Sequence, residues 1–357
     1  MGLDVVEVLR ELVALPGPSG QEDRVREAVA AHAEALGCRT AADARGNLII
    51  APPGRGIVPE RADILVVAHL DEIAMLVEGF DADGWVKVVS LGGLFPWKVG
   101  EGPVSILAQE GPIPGILSFG SIHTTSPESR AVRAKEKPLS WDMARIFTGL
   151  SGRRLEAAGV RPGTRVVLGP ERRGVVEFGD YLAAPFLDDR ADLVAMLLAL
   201  EELAGREPRA GGPTYAFAAS AAEEVGGHGA LYLFRKMEPD VAIALEIGPR
   251  VPESPFPLDG DPTVWTNDAY SSMQAADIAL VDEAAAEADI SVHWQALSRG
   301  GSDASCAASH GMVARPITLA FGAENSHGFE ITHRDSIRNL ANLLVAVLDK
   351  VVDGMSG

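Results

Sequence analysis

The sequence contains 357 residues, a length that favours one large domain together with a smaller one. Its composition, 47% hydrophobic and 23% charged, is typical of a folded globular protein and argues against a disordered chain. The formal net charge of −19 argues against nucleic acids and anionic membranes as partners, because both require a basic protein surface.

Cysteine usage and hydropathy indicate an intracellular protein. Cys38 and Cys306 lie far apart in the sequence and outside any CxxC pair, which disfavours a disulfide scaffold or a thiolate zinc site. Charged residues interrupt the apolar N-terminal stretch, so it does not resemble a signal peptide. No apolar run reaches the roughly 20 residues that span a bilayer. We therefore expect a cytoplasmic protein without a membrane partner.

The first part of the chain predicts two helices followed by two strands. Apolar residues recur at helical spacing in "DVVEVLRELVAL" and predict the first helix. Ser19 and Glu22 in "PGPSGQE" match an S-x-x-E capping box and predict the start of a second, amphipathic helix. The strands "NLIIAPP" and "ADILVVAHLDE" follow, and the second is apolar enough to be buried on both faces.

The pattern changes near residue 75. Short strands rich in glycine and proline predict a β domain over residues 75–180, interrupted by one helix in "SWDMARIFTGLSGRRLEAAG". From Asp188 onward helices and strands alternate, which is typical of an α/β sheet covered by helices. We therefore predict an α/β domain formed by residues 1–74 and 181–357, with the β domain inserted into it.

Metal-binding residue types stand at the ends of several predicted strands. The carboxyl ends of strands in an open α/β sheet line one crevice, so residues distant in sequence can meet there. Histidines and carboxylates without thiolates suit zinc, cobalt or manganese. The candidates are His69, Asp71, Asp188, Asp189, Glu223, Glu224, Glu246 and His327.

Most of these candidates also have a structural interpretation. His69 could be a core histidine, and Asp188 could cap the helix that begins at Arg190. His327 in a glycine-flanked loop means little alone. Glu246 is harder to explain in this way, because it is costly to bury an unpaired carboxylate within an apolar strand. The joint occurrence of these residues at strand ends favours a metal site.

The excess of carboxylates suggests two metal ions bridged by one carboxylate. An activated water molecule at such a site needs a nearby general base that is not itself a ligand. The adjacent residues Glu223 and Glu224 can supply both roles. We interpret Glu223 as the base and Glu224 as a ligand.

Six motifs follow one another along the chain: "PGPSGQE", "AHLDEIAML", "FLDDRAD", "AAEEVGGHGA", "GGSDA" and "SHGFEITH". In their order and spacing they resemble the motifs of the tetrahedral (TET) aminopeptidases. This family of dinuclear metallo-aminopeptidases includes glutamyl and leucyl aminopeptidases, and some members carry an old endoglucanase label. The resemblance covers nearly the whole chain. The resemblance implies hydrolysis of N-terminal residues from peptides with two divalent metal ions per chain, with zinc expected and cobalt or manganese as alternatives.

The resemblance also implies a role for each candidate residue. Asp188 would bridge the metals, Asp71 would orient His69, and Glu223 would be the general base. Glu246 stands where the family usually has aspartate. The implied metal ligands are His69, Asp188, Glu224, Glu246 and His327.

The implied fold is a zinc-exopeptidase-like α/β domain, in which helices cover a mixed sheet, with a small β-barrel-like domain inserted. In the family the inserted domain usually drives self-assembly, from dimers up to a hollow tetrahedral dodecamer. Weaker candidates for contact with the peptide substrate are His123 in "SFGSIHTTSPESR", His228 in the glycine-rich turn, and Ser302 and Asp303 in "GGSDASCAASHG".

Other functions remain open from the sequence. A related metal-dependent hydrolase that removes acyl groups from N-acyl amino acids or other small acylated compounds would use nearly the same ligands. An inactive homologue could act as a scaffold, although it would have no need of the base Glu223. An endoglucanase would use paired carboxylates but would not need two histidines placed as metal ligands.

Overall fold

The computed structural model describes residues 2–206 and 212–356 and divides into two compact units. The first, which we call the sheet unit, combines Met1–Asp71 with Val175–Gly357. The second, which we call the barrel unit, comprises Glu72–Gly174. The sequence places the corresponding limits at residues 75 and 180.

The structure contains the helices that the sequence predicted near the start and near the end of the chain. Within residues 2–206 and 212–356, no helix combines the length and the apolar character needed to cross a membrane. In chain order the α-helices are α1 (Val5–Ala14), α2 (Asp23–Ala35), α3 (Pro96–Val99), α4 (Arg130–Glu136), α5 (Gly152–Ala157), α6 (Leu187–Ala204), α7 (His228–Met237), α8 (Ala275–Glu287), α9 (Asp303–Ser309) and α10 (Ser336–Met355).

The strands belong to one large sheet in the sheet unit and one closed barrel in the barrel unit. In chain order they are β1 (Arg39–Ala42), β2 (Leu48–Ala51), β3 (Ile64–His69), β4 (Ala74–Phe80), β5 (Trp85–Leu91), β6 (Gly102–Ala108), β7 (Gly111–Ser118), β8 (Arg145–Phe147), β9 (Arg165–Leu168), β10 (Val176–Phe178), β11 (Tyr181–Pro185), β12 (Tyr215–Ser220), β13 (Val241–Pro249), β14 (Pro262–Asn267), β15 (His293–Ala296), β16 (Arg315–Glu324) and β17 (Phe329–His333).

The centre of the large sheet is parallel. The main strand order is β1-β2-β12-β3-β13-β16-β17-β11-β10, and β14 pairs with both β15 and β16. Strand β3 runs parallel to β12 and β13, and β13 runs parallel to β16. Because these strands point the same way, their carboxyl ends meet at one edge of the sheet.

Helices cover both faces of the sheet. Ile64 and Val66 of β3 pack into a cluster with apolar residues of α1, α2, α6, α8 and α10. Leu65 and Val67 point to the other face and pack with residues of α7 and α9. Burial on both faces explains why β3 is almost wholly apolar in sequence. The predicted α/β architecture with a mixed sheet is confirmed.

The barrel unit confirms the predicted inserted β-barrel fold. Its six strands close in the order β4-β5-β8-β7-β6-β9. Burial alternates along β6, where Val104 and Ile106 are buried, because successive side chains of a barrel strand point inward and outward.

The helix predicted in "SWDMARIFTGLSGRRLEAAG" is wrong for most of its length. Only α5 and a single 3-10 turn, Trp141–Met143, are helical within this segment. Residues 145–147 instead form β8, which pairs with β5 and β7 and closes the barrel. Ile146 is fully buried there, so tertiary pairing outweighs the local helical pattern.

The predicted capping box at the start of α2 is also wrong. Helix α2 begins after Glu22, and no side chain among the described residues caps it through a hydrogen bond. The Ser19 hydroxyl instead donates to Asp71 Oδ2 at 2.6 Å. Glu22 Oε1 accepts from the backbone N–H of Gly20 at 2.6 Å. Both side chains are buried and point toward the carboxyl edge of the sheet, where Asp71 lies.

Candidate metal centre

The carboxyl edge of the parallel strands positions the predicted site residues. His69 is the last residue of β3 and lies in register with Ser220, the last residue of β12. Glu223 and Glu224 follow Ser220 in the turn before α7. Glu246 lies within the nine-residue strand β13, in which every residue but the last is buried. These residues therefore come from three neighbouring parallel strands.

Asp188 lies between two histidines. Its Oδ1 is 3.0 Å from His69 Nε2, and its Oδ2 is 3.5 Å from His327 Nε2. His327 Nε2 is also 3.8 Å from Glu224 Oε2. Asp188 belongs to two groups of residues that could hold a metal ion. Within each group, the possible ligand atoms lie within 4.8 Å of one another. The groups are His69 with Asp188 and Asp189, and Asp188 with Glu224 and His327.

The residues present fit divalent cations. Glu224 Oε1 is buried and has no hydrogen-bond partner among the described residues. A buried carboxylate oxygen without a partner is costly, and a cation would satisfy it. Imidazole nitrogens and carboxylate oxygens without a nearby thiolate ligand are a donor set that suits zinc and related divalent metals.

The carboxylates of the site resist ionisation when no cation neutralises them. Burial raises the pKa of Glu224 to about 7, against the opposing charge of His327. Burial also raises the pKa of Glu223 and of Glu246 well above the usual range, and the charge of Glu223 adds to the rise for Glu246. Desolvation thus dominates this cluster, and a bound cation would offset it.

Asp188 and His69 show the opposite behaviour. Burial alone would raise the pKa of Asp188, but hydrogen bonds with His327 and His69 hold it well below the usual range. Burial alone would lower the pKa of His69, yet the charge of Asp189 and the hydrogen bond with Asp188 raise it well above the usual value. Asp188 is therefore held in its ionised form, in which both of its oxygens can act as acceptors.

Asp71 contacts His69 differently from the expectation. His69 Nδ1 is 3.0 Å from the backbone carbonyl oxygen of Asp71 and 3.6 Å from its carboxylate Oδ1. The carboxylate instead accepts the backbone N–H groups of Glu223 at 2.9 Å and of Glu224 at 3.2 Å. Asp71 thus orients the imidazole mainly through its carbonyl, and its carboxylate holds the segment that carries both glutamates.

Glu330 was not identified from the sequence. Its Oε2 accepts the backbone N–H of Asp188 at 3.0 Å, and its Oε1 accepts the backbone N–H of His327 at 2.9 Å. It is 1% exposed, and burial together with the charge of Asp188 raises its pKa to about 8. The signal that singled out Glu246, a charge inside an apolar run, is weaker for Glu330, which lies between Phe329 and Ile331 in the short strand β17.

Two buried acidic residues of α6, Asp189 and Asp192, also lie close to the site. Asp189 Oδ2 accepts the backbone N–H of His69 at 2.5 Å. Asp192 is fully buried one turn further along α6, and its carboxyl group interacts with that of Asp189. Burial raises its pKa to about 7. The helical pattern of "RADLVAMLLALEELA" gave no sign that Asp192 faces inward.

The weaker candidates for substrate contact differ in exposure. His228 is exposed at the first residue of α7, and His123 is exposed in the barrel unit. Ser302 is fully buried, caps α9 and shares a hydrogen bond of 2.8 Å with the Thr318 hydroxyl. Asp303 is buried and accepts a hydrogen bond from the hydroxyl of Ser220 at the end of β12. The contacts of Ser302 and Asp303 are thus internal ones.

The site's composition and its position on the sheet agree with the comparison to known families. Residues 46–343 match the family described as M42 glutamyl aminopeptidase. The chain belongs to this family. Membership confirms the resemblance to the TET aminopeptidases and identifies the protein as a hydrolase of peptide bonds.

Curated and solved relatives agree with this assignment. The chain is 28% identical to the lysyl aminopeptidase of Pyrococcus furiosus over 243 residues, which make up 68% of this chain and 66% of that protein. The matched part is therefore slightly less than two thirds of that relative's length.

Two solved structures share the fold over almost the whole chain. The TET aminopeptidase of a marine sediment Thaumarchaeota archaeon superposes with a TM-score of 0.85 at 21% identity, covering 98% of this chain and 99% of that one. The TET1 peptidase of Pyrococcus horikoshii gives 0.83 at 23% identity, covering 96% and 99%. That peptidase is described as assembling into a tetrahedron or a large octahedral shell.

Proposed function

We propose that this peptidase is a dinuclear metal-dependent aminopeptidase that removes N-terminal residues from peptides. The observation that carries the proposal is the position of Asp188, whose two carboxylate oxygens face the Nε2 atoms of His69 and His327 separately. A carboxylate placed in this way suits the bridging ligand of a two-metal site. The unpartnered, buried Oε1 of Glu224 also supports the proposal.

These contacts support His69, Asp188, Glu224 and His327 as ligands, and Glu246 is added from the resemblance to the family. Asp188 would be shared between the two cations, with zinc expected and cobalt or manganese as alternatives. When bound, the cations would polarise the scissile carbonyl and acidify a water molecule. The full proposed set is His69 and Glu246 for one cation, His327 and Glu224 for the other, and Asp188 for both.

Glu223 would move the proton. Its backbone is fixed by the Asp71 carboxylate, and its side chain carries a pKa that burial raises well above the usual range. A carboxylate with a raised pKa can take the proton of the attacking water and then release it to the leaving amine. The acidic surroundings, which include Glu246 and Asp303, would attract the free α-ammonium group of a peptide N-terminus.

Self-assembly belongs to the same proposal. A solved relative of this fold is described as forming a tetrahedron or a large octahedral shell. We propose that this chain forms dimers that can build a tetrahedral dodecamer, with the inserted barrel unit providing contacts. Size-exclusion chromatography with light scattering would test this, and a monomer at micromolar concentration would contradict it.

A metal and activity assay tests the central proposal. The purified protein would be analysed for metal per chain and assayed on aminoacyl anilides with free and with blocked N-termini, before and after chelation and re-addition of zinc, cobalt or manganese. We expect about two metal ions per chain, as a bridged site requires, and turnover of free N-termini only. Activity confined to blocked substrates would favour a deacylase, and absence of both metal and turnover would favour a scaffold.

Two matched variants separate the roles of the paired glutamates. Glu223→Gln should retain metal and lose about 10²- to 10⁴-fold in kcat, because it removes the base. Glu224→Gln should lose metal as well as activity. Glu253→Gln, at an exposed position, serves as the control and should behave as wild type. Full activity of Glu223→Gln would show that the base is another residue.

A further inference from the structure

Four consecutive backbone amides lie in the turn between β12 and α7, and each donates to a side-chain oxygen from the first 71 residues of the chain. We call the three acceptor residues, Glu22, Asn47 and Asp71, the amide clamp. The hydrogen bonds are Ala221 N to Asn47 Oδ1 at 2.9 Å, Ala222 N to Glu22 Oε1 at 3.2 Å, Glu223 N to Asp71 Oδ1 at 2.9 Å and Glu224 N to Asp71 Oδ2 at 3.2 Å.

The amide clamp is buried and is itself held in place. Asn47 and Asp71 are 0% exposed and Glu22 is 5% exposed. The Ser19 hydroxyl donates to Asp71 Oδ2 at 2.6 Å, and Asn47 Nδ2 donates to the backbone carbonyl of Gly229 at 3.0 Å. These hydrogen bonds hold the acceptors Asp71 and Asn47 in place beside the turn.

The carbonyl groups of Ala221, Ala222 and Glu223 in the turn accept backbone N–H groups of residues 226–229, whereas the N–H groups of residues 221–224 donate to side chains. Residues 221–227 lie outside every helix and strand, and Ala222 has a φ of 56°, in the left-handed region that non-glycine residues rarely adopt. Buried N–H groups need acceptors, which regular secondary structure normally provides. Here the clamp side chains provide the acceptors for residues 221–224 and, together with the backbone hydrogen bonds within the turn, stabilise one conformation of it.

We propose that Glu22 and Asn47 are positioning residues that, together with Asp71, fix the side chain of Glu223 through the backbone of residues 221–224. This inference rests on the proposed role of Glu223 as the base. All four hydrogen bonds from the turn to the clamp are donated by backbone N–H groups and none by a metal-ligand side chain, so the clamp acts on Glu223 through the backbone of the turn. Ser19 and Glu22, which form an apparent capping motif in the sequence, thus serve the turn that carries the base.

The expected effect follows from the sensitivity of proton transfer to geometry. Loss of the Glu22 carboxylate leaves the Ala222 amide buried without its acceptor, so the turn must shift to find another partner. Displacement of a catalytic group by about 1 Å can lower turnover about a hundredfold. We therefore expect Glu22→Ala to lower kcat by about tenfold to a hundredfold and to leave KM within about twofold.

The test compares three variants of the full-length, metal-loaded protein. Glu22→Gln keeps an oxygen in the position of Oε1 and should retain nearly wild-type kcat. Asp277→Ala removes a different buried carboxylate, which is hydrogen-bonded to Arg315 and not to the turn, and controls for general destabilisation. Each variant would be assayed for kcat, KM, metal per chain and hydrogen exchange of peptides covering residues 219–228.

The expected result is specific to Glu22→Ala. Its kcat should fall while metal per chain stays at the wild-type value, and amide exchange in residues 221–224 should become at least tenfold faster, because the lost acceptor frees the turn. Exchange in the rest of the sheet unit should not change. Asp277→Ala should show neither the fall in kcat nor the local change in exchange.

Two results would overturn the inference. One is wild-type kcat and wild-type exchange in a folded Glu22→Ala protein. The other is a fall in activity that matches loss of metal and also occurs in Asp277→Ala. If Glu22→Ala does not fold, Ser19→Ala replaces it, because loss of this hydroxyl loosens Asp71 without removing an acceptor. If the wild type has no peptidase activity the proposed function fails, whereas hydrogen exchange still decides whether the clamp holds the turn.

Discussion

Replacement of Glu330 would test whether one buried carboxylate joins two of the proposed metal ligands. Its two oxygens accept the backbone N–H groups of Asp188 and His327, at 3.0 Å and 2.9 Å. Those two residues lie more than a hundred positions apart in the sequence. Glu330→Gln keeps one acceptor oxygen but presents an NH₂ group to the other amide, and Glu330→Ala removes both acceptors.

The magnitude can be estimated from the number of amides left without an acceptor. Each buried N–H that loses its partner costs about 1–3 kcal/mol. We therefore expect the free energy of unfolding to fall by about 1–3 kcal/mol in Glu330→Gln and by about 2–6 kcal/mol in Glu330→Ala. Because both amides belong to proposed ligands, zinc affinity should fall by about 10- to 100-fold in Glu330→Gln.

The assay is competition for zinc with a chelator of known affinity, together with urea unfolding of the metal-free protein. The measurements are best made at pH 8.5, above the pKa of about 8 to which burial raises the Glu330 carboxyl group. Glu253→Gln, at an exposed position, is the control. Zinc affinity in Glu330→Gln equal to that of the control would show that the two hydrogen bonds do not position the ligands.

Three further outcomes are expected. Burial raises the pKa of Asp303 from 3.8 to about 6, so this group binds more protons in the folded than in the unfolded state between these values, and its ionisation should remove about 2 kcal/mol of stability from the metal-free protein as pH rises from 4 to 7. The other buried carboxyl groups with raised pKa values add to the loss in the wild type, so Asp303→Asn should lose about 2 kcal/mol less over this range, and parallel pH dependences of the free energy of unfolding in the two proteins would contradict this. Gly229→Ala should destabilise the fold by more than about 3 kcal/mol in urea unfolding, because a Cβ there would lie 2.0 Å from the carbonyl oxygen of Ala221, and a smaller loss would mean that the turn can yield. Burial raises the pKa of Cys38 and of Cys306 to about 11, so both thiols should react with a thiol reagent at pH 8 only after denaturation, and rapid reaction of the native protein would refute this.

Local sequence patterns predicted most of the sheet unit. Apolar periodicity located α1, α6 and α10, and the apolar runs located β3, β12, β13 and β16, because these elements are long and their burial is uniform along one or both faces. The patterns failed for β8, whose three residues become a strand only because β5 and β7 lie on either side of it.

The sequence also limited the chemistry of the candidate site. Histidines and carboxylates at predicted strand ends favoured a nitrogen/oxygen metal site, since residue type alone determines which ligand atoms are available. Parallel strands then required that His69 and the two glutamates lie near one another. The roles of individual residues within that site are predictions that the proposed metal and activity assays would test.

Only the tertiary structure revealed what holds these residues in place. Glu330 accepts the amide of Asp188 across 142 positions of sequence, and Glu22 accepts the amide of Ala222 across 200. Such contacts depend on strand register and on single turn conformations, which no local pattern specifies. The S-x-x-E motif shows the difference, because the same two side chains that predict a helix cap locally are drawn by the folded chain to the turn that carries Glu223 and Glu224. Residue type thus determined which chemistry is available, and long-range packing decided which side chains position it.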